Sequence, residues 1–425
     1  MKDIKYILNN DTLYDYHRIQ EKLTRMAAQG WHLEKISGIL WKFRRGEPKA
    51  VLYDIIYSAE ASVYNSRPTE AEEDLADLCA GAGWERVASV AQMQIYRSED
   101  PSATPLETDE LQKFKNLSRN MRRHFFPQQL WTILLFAVQF LMFGSSALRK
   151  PASILSSPMM LFILAATAGT AILYTANLIH DLLWLGKAGL AVDAGQPIPP
   201  NRFCSKFQWI TWGFITAELF CLAMLMSPSY ALTMLLLTGV MIAASMVTIT
   251  VTKWLNAPKW VNIWIPTLVA AAVLLSSQSF FSDHLFPEKS SPELPLTLSQ
   301  LTGETETDQL TIEVDSSLLV SHGRYYDFGA ENQIQYTLVD IHCPLVYDLI
   351  LNDLELDYIK FRCYQGDAIL SDALRETIGA EYLRRSTGQG QDDWFICWED
   401  RILMLYADWE LTDAQIMLLC DLLRP

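Results

Sequence analysis

The chain has 425 residues, of which 50% are hydrophobic and 20% are charged, an average too apolar for a purely soluble protein. Its net charge of −15 is uneven, since residues 283–425 hold 9 Lys and Arg against 27 Asp and Glu, whereas residues 1–282 hold 25 against 22. Because the acidic end would repel phosphate, we do not expect a nucleic-acid-binding module there.

Residues 1–100 predict a duplicated unit of one helix and its following strands. The first helix covers Thr12–Gln29, where Thr12 and Asp15 resemble a capping box, and the second opens at a capping box of Thr69 and Glu72. Strands are predicted at residues 5–8, 31–36, 39–44, 49–57, 84–89 and 93–97. Gly30-Trp31 and Gly83-Trp84 occupy equivalent positions, so we predict a ferredoxin-like α+β sandwich built from two half-repeats.

A family pattern covers much of this region. The run MAAQGWHLEKISGILWKFRRGEPKAVLYDIIYS resembles the bacterial family DUF2812, in which a helix ending in Gly-Trp precedes an aromatic strand pair. The matching residues are Met26, Gly30, Trp31, Leu33, Phe43, Gly46, Pro48, Tyr53 and Tyr57. The resemblance implies a membrane protein of Firmicutes that is often associated with PadR-type transcriptional regulators. It implies no established activity and no catalytic residue.

The motif residues favour a structural role. Trp31 and Trp84 follow helix-ending glycines and are expected to anchor each helix to its sheet. The alternative is an aromatic nucleic-acid surface formed by Phe43, Tyr53 and Tyr57, with Lys42, Arg44 and Arg45 nearby. We expect no direct nucleic-acid partner.

Beyond an acidic, proline-containing linker at residues 98–110, a basic helix precedes the first apolar run. Its apolar residues recur at helical spacing, and five cations occupy the remaining positions: Lys113, Lys115, Arg119, Arg122 and Arg123. We predict an interfacial amphipathic helix whose cations contact anionic membrane lipid.

Five apolar runs then follow, each long enough to cross a bilayer as a helix. They are Leu130–Leu148, Pro158–Leu178, Phe207–Met226, Tyr230–Val251 and Val261–Phe281. The cations before the first run predict a cytoplasmic N-terminus, and the odd number of runs then predicts an extracytoplasmic C-terminus in the cell membrane. Trp254, Trp260 and Trp264 are predicted to form an interfacial belt at the start of the fifth run.

Glu218 is the candidate functional residue within these runs, because a carboxylate near the middle of a span is costly unless it is protonated or paired. It belongs either to an ion or substrate path or to a neutral hydrogen bond with a neighbouring helix. Gln139 and Asn177 are the other polar candidates. His180-Asp181 is a weak metal signal, and we expect a helix-end role for this pair.

The C-terminal region predicts a second α+β domain. Strands are expected at residues 333–341 and 358–364 and in a hairpin at 394–398 and 401–407, with helices at 344–354 and 368–382 and a last helix capped by Thr412 and Gln415. Ser321-His322 is interpreted as part of a surface loop, and the acidic clusters around Asp353–Asp357 and Gln391–Asp393 as a solvated face. The cysteines Cys343, Cys363, Cys397 and Cys420 are either disulfide-bonded or free buried thiols.

No catalytic motif is present in the sequence, so we predict a non-enzymatic protein without catalytic, cofactor-binding or metal-binding residues. The predicted fold class is a multi-pass α-helical membrane protein with an N-terminal ferredoxin-like α+β domain and a C-terminal extracytoplasmic α+β domain. The predicted segments are a cytosolic domain (1–100), a linker with the basic helix (101–126), a membrane domain (127–282), a linker (283–309) and an acidic domain (310–425).

The predicted function is sensing or regulation, in which the extracytoplasmic domain is coupled to the cytosolic domain. The expected partners are membrane lipid, a cytosolic PadR-type regulator and an extracytoplasmic ligand of unknown chemistry. The alternative is a transporter or a transport accessory subunit that uses Glu218.

Overall fold

A computed structural model provides the architecture of the chain. It describes residues 3–8, 14–37, 40–58, 61–62, 64–225, 228–284, 294–304, 308–362, 372–388 and 390–424. The chain forms two compact units. The first comprises Met1–Phe136 with Gly169–Phe286, and the second comprises Ala137–Ala168 with Pro287–Pro425.

In the first unit, the N-terminal region contains two three-stranded antiparallel sheets and two helices. The first half consists of β1 (Ile4–Leu8), α1 (Tyr16–Ala28), β2 (Trp31–Ser37) and β3 (Leu40–Arg45), and the second of β4 (Leu52–Tyr57), α2 (Glu70–Gly81), β5 (Glu85–Val90) and β6 (Met93–Ser98). The strand orders are β1-β3-β2 and β4-β6-β5. Each half is therefore a split β-α-β unit whose last strand lies between the other two.

The two halves repeat at a spacing of 53 residues, from Gly30 to Gly83. Both glycines have positive φ values, of +79° and +82°. The register of β2 shifts between Leu33 and Lys35, and that of β5 shifts at the equivalent positions, between Arg86 and Ala88. The predicted duplication is thus present in the backbone geometry, down to the irregularity that re-aims each strand.

The ferredoxin-like prediction is wrong for the described strands, because it requires one four-stranded sheet. Each half instead completes a sheet of its own, and β2 lies beside β5 where the halves meet. A ferredoxin-like sheet would pair strands of one half with strands of the other, whereas β3 pairs with β1 and β6 pairs with β4 within each half. The capping box proposed for Thr12 lies outside the described residues. The box formed by Thr69 and Glu72 is present at the start of α2.

Substitution of Gly30 by alanine is expected to destabilise the first unit more than substitution of its repeat equivalent, Gly83. A Cβ atom at Gly30 would lie 2.8 Å from the carbonyl oxygen of Gly46, whereas a Cβ at Gly83 meets no atom within 4 Å. Gly83→Ala should therefore lower the free energy of unfolding only by the cost of a left-handed alanine, about 1 kcal/mol. Gly30→Ala should lower it by about 1–3 kcal/mol more, because the backbone must shift to relieve the contact with Gly46. Thermal unfolding of the two full-length variants measures the difference, and equal unfolding temperatures would contradict it.

Apolar helices follow the N-terminal sheets. Their bounds are α3 (Glu110–Asn120), a π-helical segment (Met121–Phe125), α4 (Phe126–Arg149), α5 (Pro151–Ser156), α6 (Pro158–Asp193), α7 (Arg202–Leu225), α8 (Pro228–Trp254) and α9 (Lys259–His284). Of the described residues, three stretches are long and apolar enough to span a membrane, namely Glu110–Arg149, Pro158–Asp193 and Leu236–Trp254. The predicted third and fifth spans lie in α7 and α9, and their crossing of a membrane remains a prediction.

The second unit contains a six-stranded antiparallel sheet. Its elements are α10 (Leu298–Thr302), β7 (Asp308–Ser316), β8 (Val320–Phe328), β9 (Gln333–Ile341), a 3-10 turn (Pro344–Val346), α11 (Tyr347–Arg362), α12 (Asp372–Ile378), β10 (Tyr382–Gly388), β11 (Gln391–Cys397), β12 (Arg401–Ala407) and α13 (Asp413–Leu423). The strand order is β10-β11-β12-β9-β8-β7. The chain therefore has separate sheet regions at its two ends, with apolar helices between them in sequence.

Helices cover both faces of this sheet. On one face, α11 packs through Ile350, Leu354 and Tyr358, together with α5 and the end of α4. On the other face, α10, α12 and α13 form a second cluster with the sheet. The result is a three-layer arrangement in which short α5 is part of the domain core.

Several C-terminal predictions need correction. Residues 358–362 continue helix α11 and do not form a strand, and α10 forms within the predicted linker. Ser321-His322 lies in strand β8 and not in a loop, and His322 is buried. The strand at 333–341, the hairpin of β11 and β12, and the capping box at Thr412 are present as predicted. Cys363 and the start of the predicted helix at 368–382 lie outside the described residues.

The described C-terminal cysteines are free, and two of them are shielded. Burial raises the pKa of the Cys397 thiol and of the Cys420 thiol to about 12. We expect neither to react with maleimide at pH 8 in the folded protein, because the thiolate is the nucleophile, whereas half-buried Cys343 reacts first. Mass spectrometry after denaturation without reductant should then show both fully labelled. A requirement for reductant would contradict free thiols.

Candidate functional site

The N-terminal core is completed by helices that lie far along the chain. Leu117 of α3 and Met121 of the π-helical segment belong to the same buried cluster as Phe43 of β3. Leu185, Ala188 and Val192 from the last turns of α6 belong to it as well. The sheets therefore pack directly against the continuation of an apolar helix, and this junction is the candidate functional site.

Helix α6 is longer than a membrane crossing requires. Its 36 residues extend about 54 Å at 1.5 Å per residue, against about 30 Å of hydrocarbon. The surplus at its C-terminal end is the part that joins the N-terminal core. His180-Asp181 consequently lies inside α6, and the expectation that this pair ends a helix is wrong.

Asp181 is the fully buried carboxylate of the junction. Its oxygens accept long hydrogen bonds of 3.4 Å from the amides of Gln129 and Asn201, and His180 Nδ1 lies 3.5 Å away. The Oε1 atom of Gln129 and the Oδ1 atom of Asn177 are buried and have no hydrogen-bond partner among the described residues. A buried carboxylate with weak donors is sensitive to small displacements of the helices that carry those donors.

The π-helical segment lies beside this carboxylate. Met121, Phe125 and Asp181 line a cavity of about 10 Å³ together with Tyr14, Asp15, Trp184 and Asn201. Such a volume accommodates about one water molecule. Phe125 meets Tyr14 edge to face at 5.3 Å, and Tyr14 stacks on Tyr57 at 5.7 Å. Because π-helical turns occur preferentially at functional sites, this widened turn marks the junction as a candidate for conformational change.

Two connections between apolar helices form hydrogen bonds with the N-terminal domain. In the connection after α6, the Ile198 carbonyl accepts a hydrogen bond from His17 Nε2 at 3.1 Å, and the Ile198 amide donates to Glu110 at 3.3 Å. In the connection after α8, Ser66 Oγ donates to the Ala257 carbonyl at 2.7 Å. The Asn262 amide donates to the Tyr64 carbonyl at 2.8 Å. Both sets of hydrogen bonds lie within the first unit.

The five predicted lipid-contacting cations divide into two groups. Lys113 is only 7% exposed and lies 4.3 Å from the centre of the Tyr16 ring, so it faces protein. The other four are exposed: Lys115, Arg119, Arg122 and Arg123. The apolar face of this helix joins the N-terminal core, because Leu117 and Met121 pack there. The predicted interfacial helix therefore buries this apolar face in protein, and lipid contact remains a prediction for the four exposed cations.

Glu218 lies in α7 and is half-buried. Thr170 Oγ1 of α6 donates a hydrogen bond to its carboxylate at 3.2 Å. This contact supplies the hydrogen bond to a neighbouring helix that one alternative requires, and the ion or substrate path stays a prediction. Gln139 is half-buried in α4, and Asn177 is buried in α6.

The family-motif residues lie at the hairpin and in the core. The Gly46 amide donates to the Gly30 carbonyl at 2.9 Å, and Pro48 would touch a Cβ at Gly30. Leu33, Phe43, Tyr53 and Tyr57 are buried, and Trp31 is half-buried and contacts Lys5 and Arg45. Burial raises the pKa of Tyr57 well above its usual value. Since three of these aromatic rings are inaccessible, they form no exposed surface for stacking bases.

The Gln391–Asp393 cluster of the second unit differs from the predicted solvated face, whereas Asp357 is exposed and Asp353 and Glu355 are half-buried. Asp392 is fully buried and accepts two hydrogen bonds from Arg385, and Glu355 accepts from Tyr382 at 2.8 Å. Throughout the described ranges, no group of three or more His, Cys, Asp or Glu side chains is arranged to hold a metal ion.

Sheet domains at both ends and apolar helices of membrane-spanning length define a candidate membrane-associated protein with two folded domains. Residues 15–128 match the family described as "Protein of unknown function (DUF2812)", so the N-terminal part of the chain is a DUF2812 region. The match extends past residue 100, and α3 and the π-helical segment belong to the N-terminal core over the same interval. No curated protein and no solved structure matches the chain.

Proposed function

We propose that the protein is a non-enzymatic, multi-pass membrane protein that couples an extracytoplasmic domain to a cytosolic domain and so regulates a cytosolic partner. The observation that carries this proposal is the membership of α4 and α6 in both domain cores. Phe126 of α4 and Leu185 of α6 are buried with the N-terminal sheets. Ala147 of α4 and Leu164 of α6 pack in the core of the C-terminal sheet.

Rigid helices that end in two cores provide a physical route for coupling. A displacement of α4 or α6 changes packing in a core, because packed cores respond to shifts by repacking and not by continuous deformation. The buried Asp181 and the π-helical segment lie where such a displacement would change hydrogen bonds in the first unit. An extracytoplasmic ligand that binds more tightly to one arrangement of these helices would then favour one packing of the N-terminal core.

The proposed topology has a cytoplasmic N-terminus and five spans. Two sets of contacts support this topology. The connections after α6 and α8 are predicted to lie inside, and both contact the N-terminal domain. Helix α5 is predicted to lie outside, and it packs on the C-terminal sheet. A cysteine placed within residues 282–291 should react with an impermeant maleimide in intact cells. Protection of that cysteine until the cells are opened would contradict the five-span count.

The proposed partner is a PadR-type transcriptional regulator, on the basis of the family resemblance. Because the N-terminal core includes α6, the test uses the full-length chain in neutral detergent together with a purified PadR-type repressor. We expect a complex on size-exclusion chromatography that Leu185→Ala weakens and Leu183→Ala leaves intact. Absence of a complex with the full-length chain would overturn the regulatory form of the proposal.

The alternative is a transporter or transport accessory subunit that uses Glu218. The observation that favours it is the half-buried carboxylate of Glu218 in α7, a helix that the sequence predicts to span the membrane, and its described contact is a hydroxyl donor, Thr170. Glu218→Gln keeps an acceptor for that donor but cannot carry a proton. In proteoliposomes, a transporter would lose proton-coupled flux, whereas the coupling proposal expects unchanged folding and no flux to lose.

A further inference from the structure

We propose that a cleft between the N-terminal domain and the end of helix α8 binds a phosphate ester. The cleft, called here the Arg67–Lys253 cleft, has a volume of about 300 Å³ and lies entirely within the first unit. Its polar lining includes Ser62, Asn65 and Ser89 besides the two cations. A coupling function does not require this site, and the inference therefore stands apart from it.

The walls of the cleft are held in place by hydrogen bonds. Arg67 Nε donates to Asn256 Oδ1 at 2.8 Å, which fixes the guanidinium against the connection after α8. Asn256 itself has a φ of +53°, a left-handed conformation that asparagine tolerates. Buried Asn262 donates to Ser66 Oγ at 3.0 Å and to the Tyr64 carbonyl at 2.8 Å. The segment that carries Arg67 is therefore joined to the helix end that carries Lys253.

The charge balance of the cleft favours an anion. Within the described part of the chain, no carboxylate forms an ion pair with Arg67 or Lys253. Glu72 also lines the cleft, but its oxygens accept from Thr69 at the start of α2 and from Gln94 at 3.2 Å. Its charge is thus partly offset by the helix terminus that it caps.

The donor set fits a phosphate group. Arginine presents five N–H donors, of which Arg67 uses one on Asn256, and the remaining edge suits bidentate contact with phosphate oxygens. Lys253 adds a second positive charge, and the hydroxyl groups of Ser62 and Ser89 add neutral donors. A volume of about 300 Å³ is at the lower end for small-molecule sites and admits a phosphate with a glycerol-sized substituent.

The phosphate has two possible sources, a lipid headgroup or a free phosphate ester. Lys253 directly precedes Trp254, which is 80% exposed, and Trp260 is exposed nearby in sequence. Exposed tryptophans are typical of the headgroup level of a membrane. The experiment below therefore uses a free and a lipid-borne form of the same headgroup.

The test measures binding of sn-glycerol 3-phosphate and dihexanoyl phosphatidylglycerol to the purified full-length protein in neutral detergent by calorimetry. We expect saturable binding that Arg67→Gln and Lys253→Gln each weaken about tenfold, since each removes a charge-assisted contact. Lys259→Gln removes the same charge from an exposed residue outside the cleft and should leave binding unchanged. Lys253→Arg should retain most of the affinity.

The outcomes distinguish a lipid headgroup from a free ester, and they also test whether the cleft binds phosphate at all. Tighter binding of the lipid than of the free ester, with no binding of dihexanoylglycerol, assigns a lipid headgroup, and equal binding assigns the ester alone. Either supports the phosphate cleft. Absence of saturable binding of both probes, or equal binding by the Gln variants at positions 67, 253 and 259, overturns it. Thermal unfolding of each variant checks the fold, and Lys253→Gln disturbs none of the hydrogen bonds that hold the cleft.

Discussion

Replacement of Leu185 by alanine is expected to destabilise the N-terminal domain by about 2–5 kcal/mol, although Leu185 lies in an apolar helix far from that domain in sequence. Its side chain is 5% exposed and belongs to the cluster that contains Leu23 and Phe43. The truncation leaves a cavity in the N-terminal core, so the cost should appear there. Hydrogen exchange of the N-terminal strands in the full-length protein, read by mass spectrometry, measures the loss.

Leu183 provides the matched control. It lies two positions away in the same helix but is 62% exposed. Leu183→Ala removes the same atoms without opening a cavity in the core, and we expect exchange close to that of the unaltered protein. If hydrogen exchange of the N-terminal strands became equally faster in both variants, the destabilisation would come from a change in α6 itself and not from the cavity in the shared core.

Replacement of Asp392 by alanine is expected to destabilise the C-terminal domain by about 3–5 kcal/mol. Asp392 is fully buried and accepts hydrogen bonds from Arg385 at 2.7 and 2.8 Å and from the Leu411 amide at 3.0 Å. Arg385 also stacks over Trp394 at 4.8 Å. The substitution leaves a partly buried guanidinium without its carboxylate, which is the costly half of a buried ion pair.

The control for this substitution is Asp421→Ala in helix α13. Asp421 is exposed, so its removal should change stability by no more than about 0.5 kcal/mol. Chemical unfolding of the full-length variants, followed by exchange of β10 to β12, measures both. A change at Asp392 as small as that at Asp421 would show that the Arg385 pair adds no stability to the sheet.

The repeat of the N-terminal region was predictable because its signals are local. Gly30-Trp31 and Gly83-Trp84 mark both helix ends, and the capping residues Thr69 and Glu72 mark a helix start. The pairing of six strands into two sheets was not predictable in the same way. Strand pairing is decided by contacts between residues distant in sequence. One sheet shared by the two halves and one sheet for each half require the same alternation of apolar and polar residues along the strands.

Two errors in the C-terminal region arise from ambiguous periodicity. Residues 359–363 alternate between apolar and polar types like a strand, but Ile350, Leu354 and Tyr358 share one helix face, and the helix extends to Arg362. Strand β8 was missed because polar residues occupy buried positions. Asp327 is fully buried there and accepts a hydrogen bond from the Leu298 amide at 2.7 Å.

The candidate site was the least predictable part. The sequence does place a carboxylate at Asp181, but nothing local indicates that Gln129 and Asn201 would donate to it. Lys113 fits the polar stripe of an amphipathic helix, and only the fold places it over the Tyr16 ring. A basic helix is read from its own spacing, whereas the surface that receives it is built from other segments.

Replacement of Leu155 by alanine tests whether the two domain cores are coupled. Leu155 of α5 is buried in the core of the C-terminal sheet, and its carbonyl accepts a hydrogen bond from Ser317 at 2.6 Å. The measurement is hydrogen exchange across the full-length chain, with Leu148→Ala at an exposed position of α4 as the control. If the cores are coupled, we expect faster exchange at Met121–Phe125 and at residues 185–192 in Leu155→Ala and unchanged exchange there in Leu148→Ala. Exchange changes confined to residues 137–168 and 287–425 would contradict it.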